Sequence, residues 1–210
     1  AIDLGIIQER RARQERQQAD IRNAANAATL TKMNSGNFKR WFGRSKIVDQ
    51  TGAPRVLYHG TSGTFKQFKP GVDGFIHVGT AGQANIITQK DRNKYQSQNI
   101  IPLLASIQNP LRLPDLGTWD TREILSYLSG VTSSTDPRVK PIFNKQDMVG
   151  IFNRLKTVNA NDPYLRSETA KKILISEIER KGYDGIVYQN TREVDYAQDN
   201  GPQDSYIVFK

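Results

Sequence analysis

Short apolar runs lie at the two ends of this chain's body, and amphipathic helical stretches lie between them. That distribution constrains the fold more than any other feature. Regular alternation of strand and helix would predict a doubly wound sheet, whereas early and late strands around a block of helices predict an α+β architecture. The early strand-like runs are Ser45–Asp49 and Ala53–His59, which flank the hairpin signal Gln50-Thr51-Gly52. Phe75–Gly79 and Pro102–Gln108 follow, the latter closed by Asn109-Pro110. The late runs are Ile186–Gln189 and Ser205–Phe209. Asp120–Leu128 and Lys145–Thr157 have the pattern of amphipathic helices. Ser167–Lys181 sets Ala170, Ile173, Leu174 and Ile178 on one stripe, and Gly182 ends it. Residues 129–144 and 190–204 read as loops. Phe65 and Phe68 are expected to anchor a further Gly/Lys-rich loop over the core.

Ahead of this body, residues 6–33 predict one helix, rich in Gln, Glu, Arg and Ala and free of Gly and Pro. Its apolar face is thin, so packing alone stabilises it little. Residues 1–36 are therefore expected to form an arm that docks on another chain or larger assembly, or runs solvated into the domain at 37–210. The net charge is +9, but residues 1–46 hold ten Lys/Arg and four Asp/Glu. The basic excess is mostly N-terminal and supports a nucleic-acid partner only weakly. Without cysteine there are no disulfides and no thiolate metal sites. Two histidines and scattered carboxylates form no zinc pattern, so no metal is expected. No run approaches the roughly 18 apolar residues of a membrane span. The chain starts at Ala1 without a signal-peptide pattern, as expected of a processed product or a piece of a longer protein.

The two histidines stand in matching contexts, Tyr58-His59-Gly60-Thr61 and Ile76-His77-Val78-Gly79-Thr80. Each sits at the end of an apolar run with a Gly-Thr pair close behind. An imidazole can donate, accept or shuttle a proton near neutral pH, and glycine permits close backbone approach. The pair points to a cleft, against the plain alternative of two structural histidines. Thr80-Ala81-Gly82-Gln83 has the capping-box form, so a helix is expected from about Ala81. Its first amides form an anion-binding geometry. Asp184, beside Gly185, reads most simply as a turn residue, and Tyr188 and Tyr206 as core aromatics.

Four stretches in this order resemble the ADP-ribosyltransferase superfamily. They are Tyr58-His59-Gly60-Thr61; Gly74-Phe75-Ile76-His77-Val78-Gly79-Thr80 with Gln83-Ala84; Gly182-Tyr183-Asp184-Gly185-Ile186-Val187-Tyr188-Gln189-Asn190 with Glu193; and Asp204-Ser205-Tyr206-Ile207-Val208-Phe209. The first two are similar to strands of the diphtheria-toxin and poly(ADP-ribose) polymerase clade, and the third to domains of phage polyvalent proteins. Trp41–Asp49 also resembles the phage group, so the likeness spans about residues 38–210. The toxin and polymerase clade carries a glutamate just before the terminal Tyr-Ile, where this chain has Ser205. His77 stands near the second histidine of RNA 2′-phosphotransferase-like enzymes.

The resemblance implies a split β-sheet core with flanking helices and a pocket for NAD. His59, His77 and Glu193 are then the catalytic candidates. Tyr58, His59, Gly60, Thr61, His77, Thr80, Ser205 and Tyr206 are the candidates for binding NAD. Glu193 replaces the missing strand glutamate from the loop before the last strand, unless it is a solvated loop residue. The implied function is a mono-ADP-ribosyltransferase that modifies a macromolecule, in the first place a host protein. The setting is the cytoplasm of a bacterial cell after delivery by a phage or toxin-type system, or a virion or secreted protein. The alternatives are a catalytically weak binding or virion module and an RNA 2′-phosphotransferase-like enzyme.

Overall fold

The apolar runs of the two late strands build the centre of the main sheet. A computed structural model describes residues 31–61, 67–69, 71, 74–90, 99–158, 167–197 and 199–209. The expected helix at 6–33 and the loop aromatic Phe65 lie mostly or wholly outside these residues. The chain divides into two compact units, Ala1–Gly43 and Arg44–Lys210. In the first, residues 31–34 are helical. Ser35 then caps helix α1 (Gly36–Phe42) by accepting from Phe38 N, and the Phe38 and Phe42 rings stack at 5.4 Å.

In the second unit, β5 (Gly185–Asn190) and β6 (Gln203–Val208) pair antiparallel. β2 (Ile76–Val78) pairs antiparallel with β6, and β4 (Pro110–Arg112) pairs parallel with β5. The order is β2-β6-β5-β4. On one face Phe75, Leu111, Ile186, Tyr188 and Ile207 pack in a single core with the helices. On the other, Val78, Val187 and Tyr206 join Ile47, Leu57, Ala105 and Ile107. Both faces are thus covered, as a sheet with a parallel pair requires. A parallel connection needs a long crossover. It is supplied here by α3 (Thr121–Leu128), α4 (Lys145–Leu155) and α5 (Glu168–Arg180). Their N-caps are Asp120, Asn144 and Ser167.

A second, two-stranded sheet pairs β1 (Leu57–Thr61) antiparallel with β3 (Asn99–Leu103). Helix α2 (Ala81–Lys90) packs on it. Tyr58 N donates to Gly79 O at 2.9 Å and Gly79 N to Tyr58 O at 3.0 Å. This one bridge joins the two sheets where β1 meets the end of β2. The α+β class and the split sheet expected from the sequence are both present.

Three local expectations need correction. The hairpin at 45–59 is a single bridge, Val48↔Pro54, around a turn in which Gly52 has φ 84°. The strand expected at Pro102–Gln108 ends at Leu103. Asn109-Pro110 does not close it; Pro110 opens β4, an edge strand where the missing N–H costs no ladder bond. The chain turns there because the Asp184 carboxylate accepts from Gln108 N at 2.7 Å and Asn109 N at 2.8 Å.

Candidate active site

Where β1 and β2 separate, a cleft of about 260 Å³ opens between the two sheets. β1 contributes Tyr58, His59 and Gly60; β2 and the residue after it contribute His77, Val78 and Gly79. His59 Nδ1 lies 2.7 Å from the His77 carbonyl oxygen. A carbonyl only accepts, so this nitrogen carries the proton, and in the neutral ring Nε2 is the acceptor. His77 Nδ1 lies 3.0 Å from the Tyr188 hydroxyl. Phe68 lies edge-on to His59 with ring centroids 5.3 Å apart, so the loop phenylalanine covers this histidine.

One wall is aromatic. Trp119 packs at 5.4 Å from His77 and 4.5 Å from Tyr188, with Phe75 behind it at 6.4 Å. Its φ is 53°, the one positive value for a non-glycine among the described residues. Such backbone persists only where surrounding structure fixes it. Here the buried Lys171 donates Nζ–H to the Trp119 carbonyl and lies 4.5 Å over the Phe75 ring. Gly74, at φ 81°, leaves room for the lysine stem, which a Cβ would strike.

The floor is polar and buried. Thr80 and Gln83 form the expected capping box: Gln83 N donates to Thr80 Oγ1 at 3.0 Å, and Thr80 N to Gln83 Oε1 at 2.8 Å. Gln83 Oε1 also accepts from Ser205 Oγ at 2.9 Å, and Asn190 Nδ2 donates to the same hydroxyl at 3.2 Å. Gln83 Nε2 reaches Gln203 O at 3.0 Å. Ser205 is thus tied to β5 and to the start of α2.

Of the residues singled out from the sequence, Tyr58, His59, Gly60, His77, Ser205 and Glu193 line the cleft. Thr61, Thr80 and Tyr206 do not. Thr61 ends β1 opposite Asn99. Thr80 caps α2 and donates to Asp199 Oδ2 at 2.8 Å. Tyr206 points to the opposite face from Ser205, into the core with Leu57 and Val187. Burial there, followed by the Asp204 charge, pushes its phenol above the ordinary value, against the opposing pull of Arg55. Gly60 has a packing reason of its own, since a Cβ there would collide with the Ala84 carbonyl of α2. Sequence reasoning missed Gln83, Asp115, Trp119, Asn190 and Arg192 as cleft residues, and read Tyr188 as plain core. Asp115 and Trp119 lie between a short strand and a helix, with no motif around them. Asn190 closes the third family-like stretch and reads from the sequence as the first residue of a loop; the structure makes it the last residue of β5.

A cleft between two β-layers, with His59 in the middle of β1 and His77 in the middle of β2 rather than at the strand ends, defines an α+β fold of the split-sheet type. The family model "ADP-ribosyltransferase in polyvalent proteins" matches residues 49–210, and the chain belongs to that family. No curated protein and no solved structure matches the chain.

Proposed function

We propose that the chain transfers ADP-ribose from NAD to a macromolecule, in the first place a protein of a bacterial cell. The observation that carries the reading is the convergence of His59, His77 and the loop carboxylate Glu193 on one cleft with an aromatic wall. NAD supplies an ADP-ribosyl group whose bond to nicotinamide breaks with cationic character at the ribose, as in glycoside hydrolysis. The residues present suit that group. Trp119 and Tyr188 supply aromatic surface for a planar ring and His59 Nε2 an acceptor for a ribose hydroxyl, whereas the Ser205 hydroxyl is buried and engaged with Gln83 and Asn190. Glu193 is assigned the developing positive charge, because a preorganised anion stabilises it more than a neutral hydroxyl such as Ser205 can. The polyvalent-protein family supports a setting in which the domain is delivered with a larger protein.

The test is incubation of the protein with NAD labelled in its ADP-ribose half and a bacterial lysate. Free nicotinamide and protease-sensitive label in the macromolecular fraction are expected. No consumption of NAD by the folded protein would overturn the reading. Label recovered only as a small phosphorylated ADP-ribose, with loss of the 2′-phosphate from added RNA, would favour the two-histidine class instead.

A further inference from the structure

The loop that carries Glu193 is fastened at three consecutive residues from two directions. Asp115, between β4 and α3, has a side chain only 5% exposed. Its Oδ2 accepts from Thr191 N at 2.9 Å and from Thr191 Oγ1 at 3.2 Å. Its Oδ1 lies 3.5 Å from Arg192 Nε. From the other side, Asn190 Oδ1 accepts from Arg192 N at 3.0 Å and from Glu193 N at 2.9 Å. Gly117, at φ 72°, lies against the Arg192 guanidinium, which any side chain there would strike. Surface loops are ordinarily mobile, and a buried carboxylate is costly unless its oxygens are bonded. Among the described residues, the oxygens bond Thr191 and Arg192, which precede Glu193, and no helix or strand.

We infer that Asp115 and Asn190 are positioning residues that clamp the backbone of residues 191–193 and so fix the Glu193 carboxylate in the cleft. The inference rests on the role proposed for Glu193. Asn190 also donates to Ser205, so Asp115 is the cleaner probe. Displacing a reacting group by about 1 Å costs on the order of a hundredfold in rate, without a matching loss of binding.

The experiment is a double-mutant cycle on NAD hydrolysis by the full chain, with Asp115→Ala, Glu193→Gln and both together. Asp115→Ala is expected to lower kcat by roughly ten- to a hundredfold and leave KM for NAD within about twofold. Asp115→Asn keeps an acceptor for Thr191 N and should retain more activity. In the Glu193→Gln background, Asp115→Ala should change kcat by less than about twofold, because the clamp acts through that carboxylate. An equal fall in both backgrounds would overturn the inference and leave the role of Glu193 intact. Wild-type turnover in Asp115→Ala would do the same. Wild-type turnover in Glu193→Gln would overturn the role of Glu193 and the clamp with it. If Asp115→Ala loses its native circular dichroism, Asp115→Leu, similar in shape but without an acceptor for Thr191 N, is taken through the same cycle and read by the same criteria.

Discussion

His59 carries its proton on Nδ1 because the His77 carbonyl can only accept, and this fixes the ring at the cleft. His59→Ala should therefore reduce NAD turnover by about a hundredfold or more while the thermal midpoint moves little. Wild-type turnover in the folded variant would remove His59 from the site. Two carboxylates near the last strand separate in the same way. Asp204 faces away from Ser205 and forms a two-pronged pair with Arg112, at 2.7 and 2.9 Å. Glu193 lines the cleft. Asp204→Asn should cost about 1 kcal/mol of stability, given the pair's partial exposure, and leave turnover intact. Glu193→Gln should do the reverse, with a loss of about a hundred- to a thousandfold in kcat. Parallel unfolding curves and steady-state rates decide between them, and a turnover loss confined to Asp204→Asn would reverse the assignment.

Two helices illustrate how caps and ion pairs hold this fold. The Thr80 hydroxyl caps α2 and also reaches Asp199, so Thr80→Ala should destabilise the domain by about 1 kcal/mol, measured by chemical denaturation. An unchanged midpoint would show that the cap adds nothing. On α4, Asp147 completes the capping box with Asn144 and pairs with Lys181 and Arg180 at the end of α5. The Lys181 hydrogen bond, then the Asn144 amide and Arg180, hold its carboxyl well below its ordinary value of 3.8. Arg138 similarly holds Asp136 down to about 2. A depressed carboxylate contributes stability that is whole above its unfolded value and lost as pH falls through the folded one. Asp147→Asn should thus lower the melting temperature fully at about pH 6, and the gap from wild type should shrink below about pH 4. A gap independent of pH would exclude this account.

At the scale of the molecule, the chain separates into Ala1–Gly43 and Arg44–Lys210, and the family match begins at residue 49. The second unit contains both sheets and the cleft. Removal of residues 1–43 should leave its circular dichroism and cooperative melting in place, together with NAD turnover. A truncated chain that fails to fold would make the first unit part of the core.

Much of this architecture is local and therefore legible in the chain itself. The capping box at Thr80, the stripe on α5 and the apolar runs of β5 and β6 each follow from spacing within one element. The order of strands and helices was enough for an α+β class, and two histidines in matching apolar runs were enough to suspect a cleft, although both lie within their strands and not at the ends. Other features depend on partners far apart in sequence. Pro110 opens a strand only because β4 lies at an edge, and Asp184 makes its turn with residues some seventy-five positions earlier. Tyr206 shares a motif with Ser205 yet lies outside the cleft because the pleat turns it to the opposite face, and Thr61, on the same face as His59, lies outside because it ends β1 opposite Asn99. Trp119 and Asp115 enter it from a loop with no motif, Trp119 braced by the buried Lys171 and Asp115 bonded to the Glu193 loop. The sequence by itself determined the helices of the second unit, their caps and their apolar faces, since these depend on neighbours three or four residues away. Only the tertiary structure decided which side chains converge, because burial and hydrogen bonding between residues far apart in sequence have no periodicity that a linear reading can detect.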